Sequence, residues 1–506
     1  MTADLLDLVP LLLDTIHGLD ACNRAFLLAF VLAGRLCQLG TEWRLAMHDW
    51  RAQLTQLRLC DWHGVSRAVD FDAALRFAAR ACPLRTLHVG IRCSDIHSFQ
   101  VLACRNLRKL TLVQQPNLSD LALKVIAQGC PLIEHLDVSL ANNCCSDTGL
   151  AEFGRNCSKL QTLILEVERG DETFFTHFAA SEIARGCPCL LRLEVGSEPS
   201  DYADPRGEGD LVWATDDEAV AAICERSPLR KLSLNCCAIT DLALLSMARC
   251  SALEELALEC CYVGSKQCLQ ALARGCPLLR KLLLSHAYNL SSEGLVAVID
   301  SCTRLEDIDL SAQCIDFHVE RIFFDALSRR TSLTELNILG ITVPERALCA
   351  FFGSGHLGLT TLRFGSSSQR LGDSTIREVC RLTNLTDLEI VTPTDVFTAS
   401  ERELTLPRHL PRVISPASIC AIVQGCMQLT SFELNCGNLF DSKLWRRTAW
   451  RAPGAPARER IFTPLLSRIV SHVMDSVPLT EFFQVDELHG ENDTDSEDDT
   501  DSEDDT

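Results

Sequence analysis

Twenty-seven cysteines in 506 residues are the most chemically versatile feature of the sequence, because thiolates ligate zinc, exchange disulfides and act as nucleophiles. Their spacing serves none of these. No C-x-x-C pair, no H-E-x-x-H run and no phosphate-binding P-loop occurs. The adjacent pairs Cys144-Cys145, Cys236-Cys237 and Cys260-Cys261 recur just after short strand-like stretches, where core packing accounts for them. A nominal G-x-G-x-x-G, GSGHLG from Gly353 to Gly358, follows the helix-like ALCAFF and precedes the strand-like Leu359 to Phe364. Dinucleotide binding needs the opposite order, strand then helix, so this is a turn. The thirteen histidines fall singly, with no Ser, His and Asp constellation. The expectation is no catalytic residue, no metal and no cofactor.

The charge balance excludes other classes. Against 47 basic side chains stand 68 acidic ones, a formal charge of -21, which argues against a general binder of nucleic-acid phosphates. Twelve of the acids lie between Asp486 and Thr506, where the composition predicts a disordered tail. Asp4, Asp7 and Asp14 interrupt the N-terminal apolar residues, unlike a secretion signal, and the run Ala25 to Gly34 is too short to span a bilayer. A chain with no membrane span, cytoplasmic or nuclear, whose cysteines are buried apolar side chains, is expected.

The elements that carry these residues repeat. CRNLRKLTL (Cys104 to Leu112), CPLIEHLDV (Cys130 to Val138), CSALEELAL (Cys250 to Leu258) and CPLLRKLLL (Cys276 to Leu284) share one frame. Its first apolar position recurs at 84, 107, 133, 160, 190, 229, 253, 279, 305, 333, 359, 385 and 429: thirteen copies, most often 26 residues apart, with fragments at Leu54 and Leu479. That period lies in the leucine-rich-repeat range. The closing L-x-L points both leucines to one face of a short strand. Ser119-Asp120, Ser146-Asp147 and Thr240-Asp241 are N-cap signals for helices such as DLALKVIAQGC and DLALLSMARC. The predicted fold is an α/β leucine-rich-repeat solenoid, a horseshoe with parallel strands on the concave face and helices on the convex face.

The pattern resembles the cysteine-containing class of leucine-rich repeats, found most often in F-box proteins that select substrates for cullin-RING ubiquitin ligases. LRKLSLNCCAITDLALLSMARC, Leu229 to Cys250, carries the family's post-strand cysteine and its I-T-D-x-x-L. The likeness spans residues 80 to 437. The order Leu8, Pro10, Leu12, Leu13, Ile16, Leu19, followed by the helical run ending near Arg35, resembles a divergent F-box; these residues would dock a Skp-type adaptor and, through it, cullin. No acidic residue closely follows Pro10, and Ile16 sits one residue early. The competing reading is a helical cap on the end of the array.

Substrate would lie on the concave face. There the strand positions between and before the leucines hold Asp307, Asp309, Glu335, Asp387, Glu389 and Glu433 late in the array, whereas Lys109, Arg192, Lys231 and Lys281 lie early. This segregation implies a protein substrate with a basic segment, steered to the later repeats. The bland reading is an exposed sheet face kept soluble by charge. Two long steps in the period, containing SEPSDYADPRGEGD and PTDVFTASERELTLPRHLPRVISP, read as functional loops or excursions.

Residues 443–460, KLWRRTAWRAPGAPARER, combine arginines with two tryptophans and read as linker and end-cap rather than as a nucleic-acid patch. Ser496 and Ser502, each followed by three acids, are candidate phosphorylation sites. The resulting division is an F-box-like segment at 1–50, the repeats at 51–437, a basic linker and cap at 438–485, and an acidic tail at 486–506. The expected function is the substrate-recognition subunit of an SCF-type ubiquitin ligase. A leucine-rich-repeat scaffold without a ligase role is the alternative, and a GTPase activator of the Ran-activating type, suggested by the acidic tail, is the remote one.

Overall fold

A computed structural model describes residues 55–60, 83–90, 104–113, 118–140, 146–167, 175–197, 215–235, 237–261, 263–287, 290–311, 321–341, 343–354, 358–365, 371–392, 421–422, 424–436 and 446–451. Each L-x-L frame is a strand: β1 (Gln56–Cys60), β2 (Thr86–Gly90), β3 (Lys109–Leu112), β4 (His135–Leu140), β5 (Thr162–Val167), β6 (Arg192–Ser197), β7 (Lys231–Asn235), β8 (Glu255–Glu259), β9 (Lys281–Leu283), β10 (Asp307–Asp309), β11 (Glu335–Leu339), β12 (Thr361–Gly365), β13 (Asp387–Thr392) and β14 (Ser431–Cys436). They form one sheet in sequence order, all parallel, and β15 (Arg446–Arg451) closes it antiparallel to β14. A parallel neighbour requires a crossover, which the helices supply from β3 to β13.

Those helices are α1 (Asp120–Gly129), α2 (Asp147–Asn156), α3 (His177–Gly186), α4 (Asp217–Cys224), α5 (Asp241–Met247), α6 (Lys266–Gly275), α7 (Ser292–Ser301), α8 (Arg321–Leu327), α9 (Glu345–Gly353) and α10 (Asp373–Val379). The predicted caps are in place: Ser119, Ser146 and Thr240 accept from the backbone N–H groups of Ala122, Thr148 and Leu242. The leucines of the frame, such as Leu107, Leu110, Leu253, Leu256 and Leu258, are fully buried between sheet and helices, forming one continuous core along the array. Late in the array, Phe323, Phe324, Phe351, Phe352 and Phe364 form a chain of ring contacts with centroids 5.1 to 5.7 Å apart, Phe323–Phe324 and Phe352–Phe364 edge to face and the two between them tilted. The architecture is an α/β leucine-rich-repeat solenoid.

Two side-chain ladders that the repeat pattern conceals hold successive units together. The aspartate at the first helical position reaches the next unit's cap. Asp120 accepts from Ser146 N and Oγ at 2.6 and 2.7 Å, and Asp217 accepts from Thr240 N and Oγ1 at 2.7 and 2.6 Å. Asp147 holds Thr176 in the same way. The cap dipeptide thus satisfies donors in two units, the serine or threonine at home and the aspartate next door.

The second ladder corrects the reading of the cysteines as merely apolar. Cys130, Cys157, Cys187, Cys276 and Cys302 each close a helix, and three of their thiols donate to the carbonyl oxygen of the preceding frame cysteine: Cys187 to Cys157 at 3.3 Å, Cys276 to Cys250 at 3.4 Å and Cys302 to Cys276 at 3.3 Å. Carbonyls at helix C-termini lack intrahelical partners, and a small donor buried beside them fills that need. Burial pushes the Cys157, Cys187 and Cys276 thiols up to about 12. They stay protonated donors at neutral pH. Twelve of the sixteen free cysteines among the described residues are buried, and none of these residues forms a group of three or more metal-ligating side chains.

The structure departs from the expected repeat count at its first strand. The fragment at Leu54 becomes a full strand, β1, pairing with β2 over five residues, so among the described residues fourteen strands run parallel rather than thirteen. The basic stretch read as linker and end-cap contributes β15 to the sheet. Among the described residues no helix is long and apolar enough to cross a membrane.

Candidate protein-recognition face

Strand alternation sends the leucines into the core and leaves every second residue on the sheet face opposite the helices. Pairing places these residues in straight rows. A first row runs Lys231, Glu255, Lys281, Asp307, Glu335, Thr361, Asp387 and Ser431, each opposite the next. A second row runs Ser233, Ala257, Leu283, Asp309, Asn337, Arg363, Glu389 and Glu433. Five of the six predicted substrate-binding residues, Asp307, Asp309, Glu335, Asp387 and Glu389, therefore share one face across β10 to β13, and the sixth, Glu433, has its backbone paired beside Glu389 in β14. Against them stands one cation in those strands, Arg363.

The expected segregation of charge is incomplete, because long basic side chains reach across rungs. Lys281 Nζ lies 3.1 Å from Asp307 Oδ2. Arg363 lies 4.0 Å from Asp387 and 3.8 Å from Glu389, between the two. Earlier, Glu194 takes Arg192 at 2.9 Å and Lys231 at 2.8 Å, so that the early cations are largely spent on it. Burial works to raise the Glu194 carboxyl, but these two cations hold it below the usual range. Exposed pairs of this sort are worth at most about 1 kcal/mol, yet they subtract from the field a partner would meet.

The acids without a cation set the character of the later strands. Asp309 is held by neutral donors, Asn337 Nδ2 at 2.9 Å and Ser311 N at 2.8 Å. Glu335 is exposed, with no cation within 4.0 Å among the described residues. Burial raises the Asp307 carboxyl above its ordinary value; Lys281 opposes this, and Glu335 and Asp309 add to it. Carboxylates that raise one another in this way repel, and a cationic partner relieves the repulsion.

The rim beside the rows changes chemistry along the array. Arg230–Glu254 at 3.5 Å and Arg280–Glu306 at 2.7 Å alternate in sign over β7 to β10. Beyond them stand Thr334, Thr360, Thr386 and Thr430, whose hydroxyls each donate to the preceding unit's carbonyl at 2.9 to 3.1 Å. The rim is thus neutral alongside β11 to β14, so the outer rows alone fix the local potential. The sequence reading missed this threonine ladder, although a threonine recurring just before four strands was visible.

The adaptor-binding positions Leu8, Pro10, Leu12, Leu13, Ile16, Leu19 and Arg35, the phosphorylation candidates Ser496 and Ser502, and the two long steps in the period lie outside the described residues. No protein-family model matches the chain. Among solved structures the chain is similar to an internalin of Listeria monocytogenes, at 16% identity over 67% of this chain and 88% of that one, with a TM-score of 0.45. It is similar to the Rad7 and Elc1 complex of yeast at 17% identity, over 83% of this chain and 99% of that one, with a TM-score of 0.40. A third likeness is to the TLR13–ssRNA13 complex, at 16% identity and a TM-score of 0.40; it covers 77% of this chain and 52% of that one.

Proposed function

We propose that the chain is the substrate-recognition subunit of an SCF-type ubiquitin ligase, taking a basic segment of its target on the outer face of β10 to β14. The observation that carries the recognition half is the in-register array of five carboxylates on that face, Asp307, Asp309, Glu335, Asp387 and Glu389, relieved within those strands by Arg363 alone among the described residues. Fixed charge of one sign on a rigid sheet attracts and orients an oppositely charged segment without reorganisation. The adaptor half is supported by the F-box-like order from Leu8 to Arg35. The chain itself is non-catalytic: ubiquitin is transferred by the RING and conjugating enzymes, and this subunit contributes proximity in the cytoplasm or nucleus.

The test is capture of a purified Skp-type adaptor and cullin by the full chain. Beside it run a variant lacking residues 1–50 and the double variant Ile16→Asp, Leu19→Asp, with far-UV circular dichroism as a check on the repeats. Binding by the full chain that both variants lose supports the ligase reading. A folded full chain that captures neither protein removes the adaptor half and leaves a recognition scaffold.

A further inference from the structure

The edge of the solenoid where helices end and strands begin is built from one repeated turn. The N–H of the frame's first apolar residue donates to the carbonyl of the frame cysteine three residues earlier: Leu107 to Cys104, Ile133 to Cys130, Leu160 to Cys157 and Leu305 to Cys302, at 2.9 to 3.3 Å. Such a bond closes a β-turn and leaves its two central residues as a corner. Because the strands that follow pair in register, the corners stand in a line along the edge. In a chain with 68 acidic side chains, no corner closed in this way among the described residues holds one.

What the corners do hold alternates from unit to unit. Arg105, before β3, and Lys159, before β5, are exposed cations, whereas Leu132, before β4, and Cys189, before β6, are exposed and uncharged. Arg226 continues the cations between α4 and β7, and Ala252 is the small residue before β8. Arg274 in the last turn of α6 precedes β9 together with the exposed Leu278, and Arg304 precedes β10.

None of these five cations forms an ion pair among the described residues. The acids on either side of the line have cations of their own. Toward the helices Glu182 pairs with Arg155 at 2.8 Å, Glu225 with Arg249 at 3.2 Å and Asp300 with Arg329 at 2.9 Å. Toward the sheet Glu254 pairs with Arg230 at 3.5 Å and Glu306 with Arg280 at 2.7 Å. Positive charge is thereby confined to a narrow line between two rails of neutral pairs. Helix C-termini favour cations in their last turn, but that preference does not call for cationic corners beyond the helix or for exposed leucines between them.

We infer that this edge docks an extended acidic segment of a partner protein, with small or apolar residues between its acids. Neighbouring strands lie about 4.8 Å apart, so cations in every second unit are about 10 Å apart, three residues of an extended chain. The units from β3 to β10 span about 34 Å, the reach of about ten residues. Anionic membranes are held by clustered cations, whereas these are strung out in a line, and the corners present no aromatic ring on which a nucleic-acid base could stack. The edge and the outer face of β10 to β14 are separate surfaces of opposite charge, and neither reading rests on the other.

The probe is a fluorescent peptide of four Glu-Leu-Ser repeats, compared with an isomer whose four glutamates are contiguous, each titrated against the full chain by anisotropy at low salt. The repeat should bind at least ~5-fold tighter than the isomer, and at least ~10-fold tighter to the unaltered chain than to Arg105→Gln, Lys159→Gln, Arg226→Gln, Arg274→Gln. Carbodiimide coupling, which joins a peptide carboxylate to a lysine amine with loss of water, locates the peptide on the unaltered chain. The products should map to Lys159 rather than to Lys109, Lys231 or Lys281 of the outer face. Equal affinity of the two isomers, equal affinity of the two proteins, coupling at the face lysines alone, or a peptide that binds no form of the chain overturns the proposal. Binding that tightens by ~5-fold or more on removal of residues 486–506 also overturns it, by making the chain's own acidic segment the occupant. Phosphatidylserine vesicles or oligouridine bound through the same cations in place of the peptide would do so as well.

Discussion

Gly275 and Gly353 are each the last residue of a helix, α6 and α9, and replacing either by alanine removes the same conformational freedom. The consequences should differ by about 2 kcal/mol. At Gly275 an added Cβ would stand 1.8 Å from the carbonyl oxygen of Ala248, the residue that closes α5. Restoring ordinary contact requires a backbone shift of roughly 1.5 Å between two packed units, in a core with no void to absorb it. Overpacking of this kind costs about 1–3 kcal/mol. The shift also pulls Cys276 from the carbonyls of Met247 and Cys250, both 3.4 Å away, for roughly another 1 kcal/mol. The helix returns about 1 kcal/mol through alanine's propensity, leaving a net loss near 1–3 kcal/mol. At Gly353 the nearest atom is Glu378 Oε2 at 3.1 Å, the far end of a flexible side chain, so Gly353→Ala should be neutral or stabilising by up to about 1 kcal/mol. Urea unfolding of the two variants side by side, followed by far-UV circular dichroism, reads the difference. Equal midpoints would refute the claim that unit spacing is set by this backbone approach.

The Asp241 carboxyl is pushed up by burial but held below its ordinary value by the Ser265 hydroxyl and by the N–H groups of Gly264 and Ser265. Its folded pKa thus lies below the unfolded one, so its contribution is present above about pH 4 and is lost as pH falls through the folded value. Asp241→Asn should destabilise at pH 7 and converge with the unaltered chain as pH falls below the ordinary carboxylate range; a urea-midpoint difference that does not vary with pH would contradict this. Cys276→Ala should cost about 1–2 kcal/mol through the lost volume and thiol donor, whereas Cys189→Ala, at an exposed thiol, should change stability by less than about 0.5 kcal/mol. In the folded chain, alkylation followed by mass spectrometry should label Cys189 and spare Cys157, Cys187 and Cys276, whose thiols burial holds near about 12. Lys281→Ala strips Asp307 of its cation and should increase affinity for a basic peptide by roughly 3-fold at low salt, as measured by anisotropy; unchanged affinity would place the binding surface elsewhere.

The sheet register was legible in the sequence because a repeat is nearly one-dimensional: once L-x-L recurs every 26 residues, Asp307, Glu335 and Asp387 must stand in a row, and they do. The caps were legible for the same reason. What the pattern could not supply was reach. Lys281 meets Asp307 because its stem spans one rung, and Arg192 meets Glu194 two residues along its own strand, so a count of charges per row overstated their segregation. The thiol and aspartate ladders were hidden because they join equivalent positions of successive units, which look unremarkable when each unit is read alone. β1 keeps the whole L-x-x-L-x-L from Leu54 to Leu59 but has Arg51 at the frame's cysteine position, so it read as a fragment. β15 has no repeat signature at all, and only pairing with β14 reveals it as a strand.

The central claim, that the outer rows of β10 to β14 recognise a basic segment through their charge, is tested most directly by a salt titration. Anisotropy of an arginine-rich nonamer would be followed against the full chain and against the variant Asp307→Asn, Glu335→Gln, Asp387→Asn, Glu389→Gln. The account predicts that affinity falls steeply between roughly 50 and 300 mM salt for the unaltered chain, because exposed charges are screened over about 10 Å or less in this range. The neutralised variant should bind at least ~10-fold more weakly at low salt, with a flattened salt dependence. Equal affinities and equal slopes for the two proteins would contradict the account and move recognition off this face.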